Sequence, residues 1–360
     1  MKYWNTAALF RENTRYAYAV GNIRAQEPSL LDRSVFDRLA EARDSETVGR
    51  ILAETAYGGV VAHLSSRSDW ERALEAERAR VLELGEKLFQ SPRYLELIRV
   101  REDFHNVRLA LKQKYLGPAA EDAYSAHGTI PPDRIKTAAH EEDWTKLPRH
   151  VADAGAALVS ALGSRRPQEQ AGGGAPALPA SAGPQVDGVT IDEHVDRRMF
   201  ACLLELSRKL PSRFFVELAK LEIDLYNIGV MLRARRRKGK PGSWDSSFIA
   251  GGTLPRESLA ACTAASIEEI ALTLSQSELA TVVQDAAAYL DSKGSFARFE
   301  RLSGESRAEF LHLARFVSMG PEPVFVFVRR KLRETEMLRI LLVGKQNKVD
   351  DAVLAEYAGA

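Results

Sequence analysis

Two carboxylate–amide pairs stand at the same offset on two stretches of the chain, Asp103 with Asn106 and Asp224 with Asn227. Three residues apart on a helix, the two side chains share one face. Such a pair could hold a cation or a polar substrate, or it could tie its helix to a neighbouring loop by hydrogen bonds. A third stretch keeps an acid, Glu334, but has Met337 where the amide stood. Recurrence favours the loop-tying role, since an active site is rarely needed three times and the third copy lacks the amide.

Other patterns that carry chemistry fail on inspection. Gly344-Lys345 is followed by Gln346, without the upstream glycine or the Ser/Thr of a phosphate-binding loop. His140-Glu141 has no second histidine four residues on, so no zinc pair forms. There is no G-x-S-x-G, and the seven histidines fall in no ligand-spaced cluster. The residues therefore predict a chain that is not an enzyme and takes no cofactor or metal. The densest basic run ends a helical pattern and includes Arg235, Arg236, Arg237 and Lys238. It reads as a solvated helix terminus, or as a patch facing an acidic partner. No aromatic residues are interleaved with it, as stacking on nucleic-acid bases would need.

The elements around these residues repeat as well. Residues 94–112 (YLELIRVREDFHNVRLALK) and 215–233 (FVELAKLEIDLYNIGVMLR) share one polar–apolar pattern, weakened in 325–343 (FVFVRRKLRETEMLRILLV). Leu97, Val100, Phe104, Val107 and Leu111 are spaced 3, 4, 3, 4, as are Leu218, Leu221, Leu225, Ile228 and Leu232. That spacing predicts a helix with one buried stripe. Gly128-Thr129-Ile130-Pro131 follows the first copy, and Gly252-Thr253-Leu254-Pro255 the second. The third copy places Lys331 and Thr335 among its apolar residues, which predicts wetter or rotated surroundings. Its run Val324–Val328 is the one strand-like stretch in the chain.

Ser91-Pro92 and Pro321-Glu322-Pro323 read as helix starts. Lys112 and Lys114 before Gly117, and Gly344 with Lys345, read as helix ends. Further helical patterns cover Ser34–Leu52, Trp70–Phe89, Pro132–Val151 and Glu257–Leu290. The expected fold class is all-α, in three copied units over residues 1–125, 126–249 and 250–360. The second unit carries an insertion at 165–189; in Gln168–Pro184, twelve of seventeen residues are Ala, Gly or Pro, a composition that cannot bury enough apolar surface to offset its ordering entropy.

Composition sets outer bounds. Fifty Lys plus Arg against 49 Asp plus Glu leave a net charge of +1, with no general drive toward nucleic acid or anionic membrane. Cys202 and Cys262 are expected as reduced, buried thiols. No apolar stretch reaches the ~20 residues of a membrane span, and the N-terminal residues carry charges throughout. These features predict a cytoplasmic protein that touches a membrane only through partners.

The chain resembles the C subunits of the V/A-type ATPases, homologues of the d subunit of the eukaryotic V-ATPases. The resemblance rests on Tyr16-Ala-Tyr-Ala-Val-Gly-Asn-Ile-Arg24-Ala-Gln-Glu27, on Leu30-Leu31 and on Ile51-Leu-Ala-Glu-Thr-Ala-Tyr57-Gly58. It rests also on Glu222-Ile-Asp224-Leu-Tyr-Asn227-Ile-Gly-Val-Met-Leu232-Arg233 and on Glu336-Met-Leu-Arg339-Ile-Leu-Leu-Val-Gly344-Lys345. The insertion and Met337 depart from the family pattern. The resemblance implies a funnel of three similar helical domains in pseudo-threefold arrangement. In that family this component seats the central stalk on the membrane rotor ring, so the implied partners are stalk and ring subunits. An unrelated α-helical adaptor, a helical enzyme and a nucleic-acid binder are the other classes to weigh.

Overall fold

The computed structural model describes residues 9–61, 67–117, 123–163, 187–237, 247–349 and 354. Most of the predicted insertion 165–189, and Lys238, lie outside these residues; helix Gly188–Arg208 begins in the last positions of the insertion. Every regular element among the described residues is helical, with no strand. No described helix is long and apolar enough to cross a membrane.

Two compact units divide the chain. One comprises residues 1–95, 208–244 and 252–360; the other comprises 96–207 and 245–251. The larger unit begins with helices Ala17–Gln26, Arg33–Glu41, Ser45–Ala53, Gly58–Val61 and Arg67–Leu88. After the excursion into the smaller unit come Arg213–Arg237, Arg256–Cys262, Ile267–Thr273, Ala280–Lys293, Ala297–His312 and Pro321–Gln346. Its centre is a chain of aromatic rings. Phe214 stacks on Phe310 at 5.0 Å, and Phe215 meets Phe325 edge-on at 5.0 Å and Tyr94 at 5.3 Å. Such contacts are worth more than their buried area alone. A second cluster joins Leu39, Val48, Leu52 and Trp70 from the start of the chain to Leu338, Leu341 and Leu342 from its end.

The smaller unit holds nearly all of helix Arg93–Leu116, with Pro132–Glu141, Arg149–Gly163 and Gly188–Arg208. Lys112 Nζ meets Asp192 at 2.8 Å, and Arg108 pairs with Asp192 and Asp196, so the basic side of one helix faces the acidic side of another.

The three repeated stretches are the three longest helices described, of 24, 25 and 26 residues. Five sequence expectations need correction. Val324–Val328 is helical and wholly buried, because a helix apolar on every side is a core helix. The third copy is not wetter: Lys331 and Thr335 are only 3% and 1% exposed. Gly344 does not end its helix, which runs to Gln346; a Cβ there would overlap the Leu354 side chain, so the glycine permits close packing. The predicted helix over Pro132–Val151 breaks at Glu142, whose φ of 57° is left-handed, and Glu257–Leu290 divides among three helices.

Candidate functional site

Each long helix carries a buried acid at its middle, and each acid reaches a loop. Asp103 is fully buried. It accepts from Thr129 N–H at 2.8 Å, Ile130 N–H at 3.0 Å and the Thr129 hydroxyl at 2.5 Å. Asp224, 1% exposed, accepts from Thr253 N–H at 2.8 Å, Leu254 N–H at 3.0 Å and the Thr253 hydroxyl at 2.5 Å. The two Gly-Thr-x-Pro echoes are thus the receiving halves of these contacts. The glycine has a steric reason, for a Cβ on Gly128 or Gly252 would overlap the Asp103 or Asp224 carboxylate. Asn106 exchanges two hydrogen bonds of 2.8 Å with the Ser125 backbone. Asn227 is likewise buried.

The third acid finds its loop at the other end of the sequence. Glu334 Oε1 accepts from Leu31 N–H at 2.8 Å, across 303 residues. Its Oε2 accepts from Tyr57 O–H at 3.1 Å and from Lys331 Nζ at 2.9 Å. The Lys331 ammonium also sits 4.7 Å over the Tyr57 ring. Met337 takes the amide's place and is buried. Burial pushes the Asp224 and Glu334 carboxyls up, against their hydrogen-bond donors.

A second feature, which spacing in the sequence did not assign, lies eleven positions beyond each acid. Lys114 Nζ donates to the carbonyls of Ala139 and His140, at 2.9 and 3.3 Å, and pairs with Glu142 at 2.7 Å. Arg235 donates to the carbonyls of Cys262 and Ala265, at 3.1 and 2.8 Å, and pairs with Asp291 at 2.6 Å. Lys345 Nζ donates to the Ala40 carbonyl. In each case a cation caps the C-terminal end of the helix that follows the loop, where carbonyls lack intrahelical partners. The signal was present as basic residues at matching places on three helices. Spacing alone did not reveal what they reach.

Arg235 is therefore committed inside the molecule, in place of the partner-facing position considered for it. Arg236 and Arg237 are exposed, with Arg236 5.4 Å over the Phe296 ring. Cys202 and Cys262 are buried thiols outside any disulfide.

An open cavity of about 820 Å³ lies beside Asp224 in the larger unit, lined among others by Arg213, Glu217, Lys220, Glu278 and Glu309. Glu217 bonds Lys220 at 3.0 Å, and no histidine or cysteine lines the space. Among the described residues no three His, Cys, Asp or Glu converge as metal ligands.

One buried acid belongs to none of these contacts. Glu322, at the start of the third long helix, is fully buried and neither carboxylate oxygen has a hydrogen-bond partner. The nearby Ser212 hydroxyl gives its proton to the Leu9 carbonyl. Burial pushes the Glu322 carboxyl up. A carboxyl raised in the folded state contributes stability below its unfolded pKa and loses it as pH rises through the folded value. Glu322→Gln is expected to raise stability at pH 8 by roughly 1 kcal/mol and to leave it unchanged near pH 4. Thermal unfolding followed by circular dichroism across that interval checks this; equal shifts at both ends would contradict it.

The sequence matches the model of the family described as "ATP synthase (C/AC39) subunit" over residues 19–357. The C subunit of the V-type sodium ATPase of Enterococcus hirae is 23% identical, over 90% of this chain and 92% of the relative. The C subunit of the A-type ATP synthase of Thermococcus onnurineus is 24% identical, over 99% and 93%. That of Methanosarcina acetivorans is 25% identical, over 95% and 92%. With the family model covering nearly the whole chain, the protein belongs to the C/AC39 family, the C subunits of V/A-type rotary ATPases.

Proposed function

We propose that the chain is a non-catalytic socket that couples the central stalk of a V/A-type rotary ATPase to its membrane rotor ring. In this reading it is built from three copies of one helical unit, in the funnel arrangement that the family resemblance implies. Each copy is a long helix whose acid holds a loop and whose cation, eleven residues on, caps the next helix. That pairing, present on all three long helices, is the observation that carries the reading. A part that passes torque needs long helices fixed against rotation about their own axes, and two anchors about three turns apart on one helix supply that restraint.

In this reading the copies do not follow the divisions 1–125, 126–249 and 250–360. The third takes its loop from Ser29–Leu31 and its capped helix from Arg33–Glu41, so it is assembled from both ends of the chain. Coupling leaves ATP chemistry and ion passage to other subunits, and membrane contact comes through the complex, on its cytoplasmic side. The test is purification of the tagged chain from its native membranes in mild detergent, with quantitative mass spectrometry. Recovery of stalk and ring subunits, with this chain in single copy per complex, is expected. Recovery alone, or only with unrelated proteins, would leave a generic helical adaptor.

A further inference from the structure

Helix Ala17–Gln26 turns an unusual face outward. Ala17, Tyr18, Gly21 and Ala25 are all exposed, and none carries a charge. At 100° per residue, and counting from Arg24, these four fall at about 20°, 120°, 60° and 100°, while buried Ala19, Val20 and Ile23 occupy the opposite side.

The edge at Arg24 is walled. Its guanidinium donates to the carbonyls of Ala314, Arg315 and Val317, and Asn13 N–H donates to Met319 O at 2.9 Å. The segment 314–319 therefore runs along this edge and carries Phe316, which is 56% exposed. Tyr18, 78% exposed, stands at the far side. On the helix, Ala17 and Gly21 fall between the Arg24 edge and Tyr18, and offer little side-chain bulk there.

Gly21 is unexplained by the chain's own packing. A Cβ there would meet nothing within 4 Å, and its φ is not left-handed. A helical glycine of this kind weakens its helix without return inside the molecule. What glycine provides is room for another backbone to come close.

The surroundings are rich in arginine, although Glu12 is also exposed three residues before Arg15. Arg15, Arg315 and Arg330 are exposed, and no carboxylate among the described residues forms an ion pair with them. Arg315 lies 4.4 Å over the Phe316 ring and contacts His312, neither of which neutralises it. The His312 imidazole is pushed down by burial and by the charges of Arg315 and Arg330, as expected where positive field is left uncompensated.

We infer that the face formed by Ala17, Tyr18, Gly21 and Ala25, walled by Phe316 and rimmed by Arg15, Arg315 and Arg330, is a groove that docks an acidic helix of another protein of the complex. The aromatics give contact area, Ala17 and Gly21 admit a backbone, and the arginines select carboxylates at the edges. The proposal rests on the rotary-ATPase reading above. A lipid surface would share the preference for arginine and aromatic residues but has no use for the glycine.

The test uses the full-length tagged chain in its native host, with Gly21→Leu in one variant and Arg15→Glu, Arg315→Glu and Arg330→Glu together in another. Both are expected to melt within a few degrees of the wild type. Leucine at 21 enters open space and favours a helix, and the arginines lie on the surface. Each variant is expected to recover at least about tenfold less of the other ATPase subunits per bait than the wild type, a loss of about 1.4 kcal/mol in association. Undiminished recovery by both variants would overturn the groove and leave the coupling role standing. If the wild type itself recovers none of the ATPase subunits, the coupling role fails and the groove with it. The same chains are sedimented with vesicles of equal parts phosphatidylcholine and phosphatidylglycerol. Binding there that the charge reversal abolishes, with recovery of the ATPase subunits unchanged, would make this a lipid-facing surface and overturn the proposal.

Discussion

Asp224→Ala is expected to destabilise the protein by about 2–4 kcal/mol, the cost of leaving neutral donors without their charged acceptor. Three donors lose their acceptor together: Thr253 N–H, Leu254 N–H and the Thr253 hydroxyl. A donor left unsatisfied in the interior costs about 1–3 kcal/mol; that applies to buried Leu254, and less to the groups of exposed Thr253, which water can reach. The wild-type carboxylate bears a desolvation cost of its own, visible in its raised pKa, so alanine recovers part of the loss and the donors' costs do not simply add. Asp224→Asn keeps the shape and one acceptor oxygen, and about half the loss is expected. Asp103→Ala should cost a similar amount, because Asp103 serves the same three kinds of donor. Urea unfolding with an unchanged denaturant slope checks all three variants. A loss below about 1 kcal/mol for Asp224→Ala would mean that the loop is held by its packing and not by this carboxylate.

Glu334→Ala is expected to do comparable harm by a different route. It leaves the Lys331 ammonium, 3% exposed, without its 2.9 Å counter-charge, and it strips Leu31 N–H and Tyr57 O–H of their acceptor. Removing one member of a buried ion pair typically costs about 3–5 kcal/mol. The companion result separates charge from packing. Lys331→Met combined with Glu334→Leu removes both charges together and should regain most of the stability lost by Glu334→Ala alone. Hydrogen exchange supplies the location: amides of residues 33–53 are expected to lose protection in Glu334→Ala, while those of 132–141 keep theirs. Uniform loss across both stretches would show global destabilisation and no special bond between the chain ends.

Much of this was legible in the sequence, for identifiable reasons. The 3, 4, 3, 4 spacing marked two long helices, although the single buried stripe it implied is exceeded in Arg213–Arg237, which is buried on nearly every face from Phe214 to Leu232. Asp103 and Asp224 stood out because the same acid recurred at the same helical phase. The Gly-Thr-x-Pro echoes were visible, but spacing cannot say that a loop 26 residues downstream bonds back to a particular carboxylate. Still less could it reveal Leu31 as the partner of Glu334, since no local pattern links positions 303 apart. Lys114, Arg235 and Lys345 read correctly as cations near helix ends, yet the carbonyls they cap belong to other helices. Val324–Val328 resembled a strand because complete burial hides helical phase.

The bond between Leu31 and Glu334 also has a consequence in time. A ribosome releases residues 31–61 long before it has made the helix that completes their core. With 303 residues still to be added, at 5–20 residues per second, that interval is roughly 15–60 s. Throughout it, Leu39, Val48, Ile51 and Leu52, buried in the finished protein, have no Leu338, Leu341 or Leu342 to pack against. The nascent chain carries an unfinished apolar surface throughout that interval, so the yield of folded protein should depend on whatever shields that surface until helix Pro321–Gln346 emerges.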